Sequence, residues 1–385
     1  MSLVLDEHRE YLSDKLRLDL FRKAIHAVVK PGDVVLDLGA GTGIMGLFAC
    51  EAGARRVYSI DGGGMIQVAR DVARANGFEG RLIGINGFSQ RVELTEKADV
   101  LVADQIGHFG IEAGVLEFFR DAKRRLLKPN GRNIPVRLDL FVAPISAPTL
   151  RRNIDFWKTR PGGFDFSSAL TTASNTGYPS PLKAVNFLGA PAPFISLDPV
   201  AAPPTFSAET VATIKTDGVM HGIGGFFSAE LAPGIVMTNS PLAKARINRR
   251  MVFFPIERPL KVAKGDKIQV AMTITPANKL VTWKVELRDC KGVGKGRFVH
   301  STAKGYLVSI EDLEKTRPDF VPRLSPWGVA RRSVVDLCDG VRTISDIERE
   351  VLSRHSGLFP SLAEAAEFVA EVTLGYAIPS NNGHS

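Results

Sequence analysis

The spacing of apolar and polar residues changes several times along this chain, and each change marks a boundary between elements. Residues 8–28 repeat at helical spacing, with Leu12, Leu16, Leu20 and Ala24 on one stripe, which predicts a single leading helix. Short apolar runs then alternate with helical stretches to about residue 128. Val34–Leu38, Arg56–Asp61, 82–85 and 100–104 read as strands buried on both faces. Ala75-Asn76-Gly77 closes the helix between the second and third, with Gly77 suited to the position just past a helix end. The alternation predicts a doubly wound parallel sheet, and Pro129-Asn130-Gly131 reads as the turn that ends it.

From Val136 onward Pro and Gly become frequent and the apolar runs shorten. Segments 138–143, 211–214, 225–231, 250–255, 268–274 and 281–287 suit antiparallel strands of a sandwich or barrel. Residues 158–182 and 189–204, rich in Gly, Ser, Thr, Ala and Pro, read as an excursion and a linker. The last segment turns helical again. Ser345 with Glu348 and Ser361 with Glu364 are spaced as capping boxes. Ile347, Val351 and Leu352 make one apolar face, and Leu362, Ala366, Val369 and Val372 another. With a helix near 329–337 and a turn at Asp339-Gly340, this is a three-helix unit behind an extended arm at 320–324. The expected domains are 1–135, 136–312 and 313–385.

At 385 residues and 44% hydrophobic, the chain can bury more than one core. Its net charge of +8 gathers at Arg120-Lys123-Arg124-Arg125-Lys128 and Lys244-Arg246-Arg249-Arg250. Both clusters read first as solvated faces, with contact to an acidic peptide or nucleic acid as the alternative. Neither is interleaved with aromatic residues, which disfavours nucleic acid as a partner. Cys50, Cys290 and Cys338 form no disulfide or zinc pattern, and the seven His show no ligand spacing, so no metal is expected. Without a signal-like start or a membrane-length apolar run, the expectation is a soluble cytoplasmic protein.

The chemistry concentrates after the first strand, in Asp37-Leu38-Gly39-Ala40-Gly41-Thr42-Gly43-Ile44-Met45-Gly46. A strand, a glycine loop and a helix form a cradle for a nucleotide-like cofactor. Gly41, Gly43 and Gly46 also satisfy the dinucleotide pattern, with Asp61 placed to hold a ribose. Asp37 argues against a pyrophosphate, which it would repel, and for a ligand carrying an amino group and a sulfonium. Asp61 can bridge both ribose hydroxyls, and Ser89-Gln90 follow the third strand where the Gln90 amide can read an adenine edge. Each acid also suits a bland role as the cap of the next helix; their combination with the loop favours the site.

These residues resemble motif I of the class I S-adenosylmethionine methyltransferases. The order of leading helix, methyltransferase sheet and β-domain is similar to that of the protein arginine methyltransferases over most of residues 8–310. The resemblance implies a Rossmann-like α/β sheet followed by an antiparallel β-barrel domain, with S-adenosylmethionine as cofactor. His8, Tyr11 and Arg17 fall where that family closes a helix over the cofactor, Arg17 matching the arginine that pairs its carboxylate. Asp37, Gly39, Gly41, Gly43 and Asp61 match the core of the cofactor site, and Gln90 stands where the family usually has Glu. Phe156-Trp157 and Gly163-Phe164-Asp165-Phe166-Ser167 resemble the start of a dimerisation arm near 150–185, which implies a homodimer.

The arginine-gripping pattern is altered. The family places two glutamates on a hairpin after the fourth strand, where this chain has Asp104 and Ala113, with Glu112 adjacent. Arg246-Ile247-Asn248 replaces the family's Thr-His-Trp loop. Expected catalytic residues are Asp104, orienting the acceptor nitrogen, and His108 or Glu112, receiving its proton. Gly107 and Gly110 favour a loop there over a helix.

The segment Val334-Val335-Asp336-Leu337-Cys338-Asp339-Gly340-Val341-Arg342-Thr343-Ile344, within 320–378, is similar to the winged-helix peptide chaperone of pyrroloquinoline quinone biosynthesis. That resemblance implies a recognition element for a ribosomal precursor peptide; a plain helical cap on the barrel is the alternative. The expected activity is N-methylation of a peptide or protein. O-methylation of a small molecule or side chain, and a non-catalytic cofactor-binding relative, remain open.

Overall fold

The computed structural model describes residues 4–306, 311, 314, 315 and 317–377. They fall into two compact units, Met1–Leu307 and Val308–Ser385.

The first unit opens with α1 (Val4–Ser13) and α2 (Lys15–Val28) rather than one continuous helix. The break is at Asp14, whose side chain accepts the Arg17 N–H and caps α2. The apolar stripe keeps its phase across the break, which is why spacing alone does not reveal it. Strands β1 (Val34–Leu38), β2 (Arg56–Asp61), β3 (Leu82–Asn86), β4 (Ala98–Ala103) and β5 (Leu127–Ile134) pair in parallel in the order β3-β2-β1-β4-β5. Helices α3 (Ile44–Glu51), α4 (Met65–Ala75) and α5 (Val115–Arg125) make the crossovers. All five residues of β1 are buried, as a central parallel strand requires.

The expected turn at Pro129-Asn130-Gly131 lies inside β5 instead. Leu127 pairs with Ala98 and Arg132 with Val100, so the intervening residues bulge out and pairing resumes beyond them.

The second domain begins at β6 (Arg137–Ile145), followed by α6 (Pro148–Asp155), α7 (Ala169–Ser174) and nine further strands. These are β7 (Tyr178–Ser180), β8 (Ala192–Leu197), β9 (Phe206–Thr213), β10 (Gly218–Ala232), β11 (Ile235–Thr238), β12 (Met251–Val262), β13 (Lys267–Thr275), β14 (Leu280–Arg288) and β15 (Gly294–Ser301). One sheet runs β7-β12-β10-β6-β8 with β11 on β10, and the other β15-β14-β13-β9, all antiparallel. Each of the six apolar segments from the sequence overlaps a strand. The 189–204 segment is more than a linker, because β8 lies within it and pairs along β6. Trp283, fully buried, donates its indole N–H to the Pro255 carbonyl at 2.9 Å and stacks on His300.

The main apolar core of this unit runs through both domains, and a smaller one around Ile154, Phe226 and Phe253 lies within the second. The loop after β4 carries Phe109 into the second domain, against Phe254 and Phe194 at ring-centroid distances of 5.6 and 6.5 Å. Gly225 makes that approach possible, since a Cβ there would lie 2.7 Å from the Phe109 ring.

The second unit holds α8 (Pro326–Leu337), α9 (Ile344–Arg354) and α10 (Leu362–Tyr376), with no strand among its described residues. Helix α9 is capped by Thr343 with Asp346, not by Ser345 with Glu348; the two pairs have the same spacing two residues apart. Ser361 caps α10 as expected. The core uses Ile347, Val351, Ala365, Val369 and Val372, while Leu362 stands 46% exposed because the buried stripe is set by Ala365 rather than Ala366. No helix among the described residues is long and apolar enough to cross a membrane.

Candidate functional site

At the carboxyl ends of β1, β2 and β4, a cavity of about 350 Å³ is walled by the glycine loop, α1, the β4 loop and Arg249. The Gly39 and Ala40 N–H groups donate to the Ile60 carbonyl at 2.9 and 3.1 Å, tying the loop to β2. Gly39 has φ of +65°, and a Cβ there would overlap the Gln105 side chain. Gly43, also left-handed with φ of +77°, starts α3.

Asp37 is 1% exposed. Its carboxylate accepts the Gly46 N–H and the Ser59 hydroxyl, both at 3.1 Å, and burial pushes its carboxyl up to about 7. Asp61, at the end of β2, accepts the Gly41 and Gly63 N–H groups at 2.8 Å each and fixes both loops. It also borders a second cavity of about 220 Å³ that holds Ser89, Gln90, Phe88 and Phe118. Apart from Gly43, which lines neither, the cofactor-site residues expected from sequence are thus shared between two adjoining cavities, with Asp61 in both walls.

Helix α1 sets His8 and Tyr11 over the larger cavity. Tyr11 donates its hydroxyl to Glu7 at 3.1 Å, and burial, then Glu7, holds its pKa above the ordinary value. Arg17 is buried; its Nη1 donates to the Tyr11 carbonyl at 3.0 Å and its Nε to Asp104.

Asp104 follows β4 with only 7% of its side chain exposed. Arg249 reaches it from the second domain, Nη2 lying 3.2 Å from Oδ2 and both Nη atoms 3.4 Å from Oδ1. Burial alone would raise the Asp104 pKa, but Arg249 and Arg17 overcome it and hold the carboxyl below the usual range. Arg249, which the sequence places in a solvated basic face, is 9% exposed at its side chain and part of the cavity wall. Its position directly after the altered Arg246-Ile247-Asn248 loop was the only hint.

The 104–114 segment is a loop, with Gly107 at φ of +55° and Gly110 at +99°. Glu112 organises it: its carboxylate accepts the N–H groups of His108, of Phe109 at 2.8 Å and of Ile111 at 3.2 Å. Those three donors occupy the carboxylate offered as a proton acceptor. His108 Nδ1, in contrast, is buried without a hydrogen-bond partner. His108 and Glu112 also border a third, apolar cavity of about 260 Å³ lined by Phe109, Ile111, Val252, Phe254, Leu280 and Val281. Asn239 pins this loop from behind, accepting the Phe227 N–H and donating to the carbonyls of His108 and Arg250. Sequence reading missed both Asn239 and the apolar cavity. Among the described residues no group of His, Cys, Asp or Glu is placed to hold a metal.

Comparison with known proteins follows the two domains. Residues 19–135 match the family of ribosomal protein L11 methyltransferase (PrmA), and residues 137–287 the arginine methyltransferase oligomerization subdomain. The chain is 34% identical over 177 residues to a probable protein arginine N-methyltransferase 6 of Arabidopsis thaliana, covering 45% of this chain and 40% of the relative. It is 36% identical over 164 residues to protein arginine N-methyltransferase 6 of Danio rerio, covering 42% and 47%. The match thus spans less than half the length of these curated relatives. A longer match, 26% identical over 295 residues, covers 70% of this chain and 84% of the Xenopus tropicalis protein of the same name. Among solved structures, the Trypanosoma brucei PRMT1 enzyme-prozyme heterotetrameric complex with AdoHcy superposes with a TM-score of 0.68 at 21% identity, covering 76% of this chain and 97% of that one. Arabidopsis thaliana protein arginine methyltransferase 10, in an open conformation, gives 0.68 at 22% identity, covering 77% and 98%. The α/β sheet and the β-domain of this chain together have the fold of the protein arginine methyltransferases.

Proposed function

We propose that the chain is an S-adenosylmethionine-dependent methyltransferase of the protein arginine methyltransferase type, acting on a nitrogen of a peptide or protein. The observation that carries this reading is the joint placement of buried Asp37, doubly bonded Asp61 and buried Arg17 around one cavity at the tips of β1 and β2. The donor set fits the cofactor. Asp61 offers acceptors to a ribose diol where the two cavities meet, Gln90 and Ser89 stand at the adenine end, and Arg17 matches a carboxylate. Asp37, Asp61 and Glu7 suit a cationic nucleoside and would repel a diphosphate.

When bound, S-adenosylmethionine supplies an activated methyl group and its own leaving group. The protein's part is positioning and proton uptake. Asp104 fixes Arg17 and Arg249, Glu112 holds the loop in shape, and His108 offers an unpartnered Nδ1 to the proton released by the acceptor nitrogen. Purified protein with labelled S-adenosylmethionine and peptide pools tests the reading. Transfer of label to peptide nitrogen is expected, and failure to bind S-adenosylhomocysteine would overturn it.

A second reading, transfer to a side-chain or small-molecule oxygen, is favoured by the two guanidinium partners that Asp104 already has. Mapping the labelled atom by mass spectrometry decides between them. Cofactor binding without turnover on any acceptor would mark a non-catalytic relative.

Two partner assignments complete the proposal. The arm near 150–185 exposes Phe164 at 71% and Phe166 at 41%, which supports a homodimer; sedimentation of the F164D/F166D variant tests it. The capped three-helix unit, with Val341 87% exposed in the matching segment, supports recruitment of a precursor peptide. Loss of labelled-peptide binding in a Val341→Asp variant is the expected result.

A further inference from the structure

The Arg249 guanidinium is not a loose surface charge. Its chain is fastened on both sides: Ile247 N–H donates to the Thr238 carbonyl at 3.0 Å, Asn248 N–H to Asp14 at 2.7 Å, and the Arg250 carbonyl accepts from Asn239 at 2.9 Å. The side chain is held as firmly. Two of its nitrogens face the two oxygens of Asp104, and its carbon lies 6.0 Å from the centre of the Tyr11 ring. A carboxylate fork below and an aromatic face beside it are the features by which a protein holds a guanidinium.

We propose that Arg249 is an internal occupant of a guanidinium seat formed by Asp104 and Tyr11, and that it closes this end of the cavity to cationic acceptors. The inference rests on the methyltransferase reading for the word acceptor, though not for the existence of the seat. Asp104 has one negative charge and already faces Arg17 and Arg249, so at this seat an arriving guanidinium or ammonium finds the carboxylate taken by two guanidinium groups. At the second glutamate position of the resembling family the wall offers Ala113, a methyl group, and the adjacent Glu112, which also lines the cavity, has its carboxylate engaged by three loop amides. The acceptor admitted at this seat is therefore an uncharged group, and Arg249 is the residue that decides it.

Calorimetric titration of the full-length protein with ethylguanidinium chloride at fixed salt tests this directly, with S-adenosylhomocysteine titrated in a parallel cell. The wild type is expected to bind ethylguanidinium at least about tenfold more weakly than Arg249→Ala, in which the small cation fills the vacated seat. Adding Asp104→Asn to Arg249→Ala should abolish that binding, and Arg249→Lys should leave the seat closed. Arg249→Gln, which keeps length without charge, replaces the alanine variant if the latter does not melt cooperatively. Equal binding by wild type and variant, or no binding by a folded variant, would overturn the proposal. Loss of S-adenosylhomocysteine binding in the wild type would instead overturn the proposed function and leave the seat to be judged by the ethylguanidinium titration.

Discussion

One Asp14 carboxylate oxygen accepts the Arg17 N–H at 3.2 Å and the other accepts the Asn248 N–H at 2.7 Å, so a single side chain starts α2 and fastens the β-domain loop to it. Asp14→Ala should cost about 1–2 kcal/mol in chemical denaturation, the range of a lost cap plus a freed amide. Asp14→Ser should restore the cap without reaching Asn248. Hydrogen exchange at the Asn248 amide is expected to accelerate in both variants, which separates the two roles.

The buried Asp37 makes ligand uptake pH-dependent. Its carboxyl is pushed up to about 7, so it is partly protonated at neutral pH, and a cationic nucleoside favours its ionised form. Binding of S-adenosylmethionine, which carries the sulfonium, should therefore release a proton and tighten as pH rises from about 6 to about 8, by at most tenfold per unit. Calorimetry in two buffers of different ionisation enthalpy reads the proton, and Asp37→Asn should flatten the profile. Stability moves the other way. Between the ordinary aspartate value and about 7 the folded chain keeps a proton that the unfolded chain has lost. This group's contribution to stability thus falls as pH rises through that window and is constant above it.

Substitution of Gly225 should act on the site through packing. A methyl group there would lie 2.7 Å from the Phe109 ring and 3.2 Å from that of Phe254. Gly225→Ala is expected to cost about 1–3 kcal/mol by overpacking. Because Phe109 follows His108 in the loop, the same variant should lower methyl transfer more than it lowers nucleoside binding. Measuring both on one preparation checks the split.

Trp283 gives a test of the second sheet's core. Trp283→Ala should cost about 3–5 kcal/mol in denaturant unfolding. Trp283→Phe should cost about 1–3 kcal/mol, mainly because the Pro255 carbonyl loses the indole donor in a buried setting.

Much of the first domain was legible because its central strands β1 and β4 are buried almost throughout and read as apolar runs. The meeting of Asp37, Gly39, Gly41 and Asp61 at one cavity was legible for a related reason: they belong to one strand-helix-strand unit, so their relation is a matter of local spacing. Strand β5 was obscured by the bulge at Pro129-Asn130-Gly131, where turn-forming residues interrupt the ladder without ending it. The cap at Asp14 was hidden because the stripe from Leu12 to Ala24 stays in phase across it. Arg249 was out of reach for a different reason. Its partner Asp104 lies 145 positions earlier, and a basic residue among other basic residues gives no sign of being folded inward. The apolar cavity that His108 borders likewise depends on five separate stretches of chain meeting.

Phe109 lodged between Phe194 and Phe254 has a consequence for how the first unit comes apart. With that ring shared, neither half can melt without tearing open the other, so heating should give one cooperative transition for residues up to 306. A gene cut near Pro135 would yield two fragments with sticky apolar faces, each soluble only when co-expressed with the other.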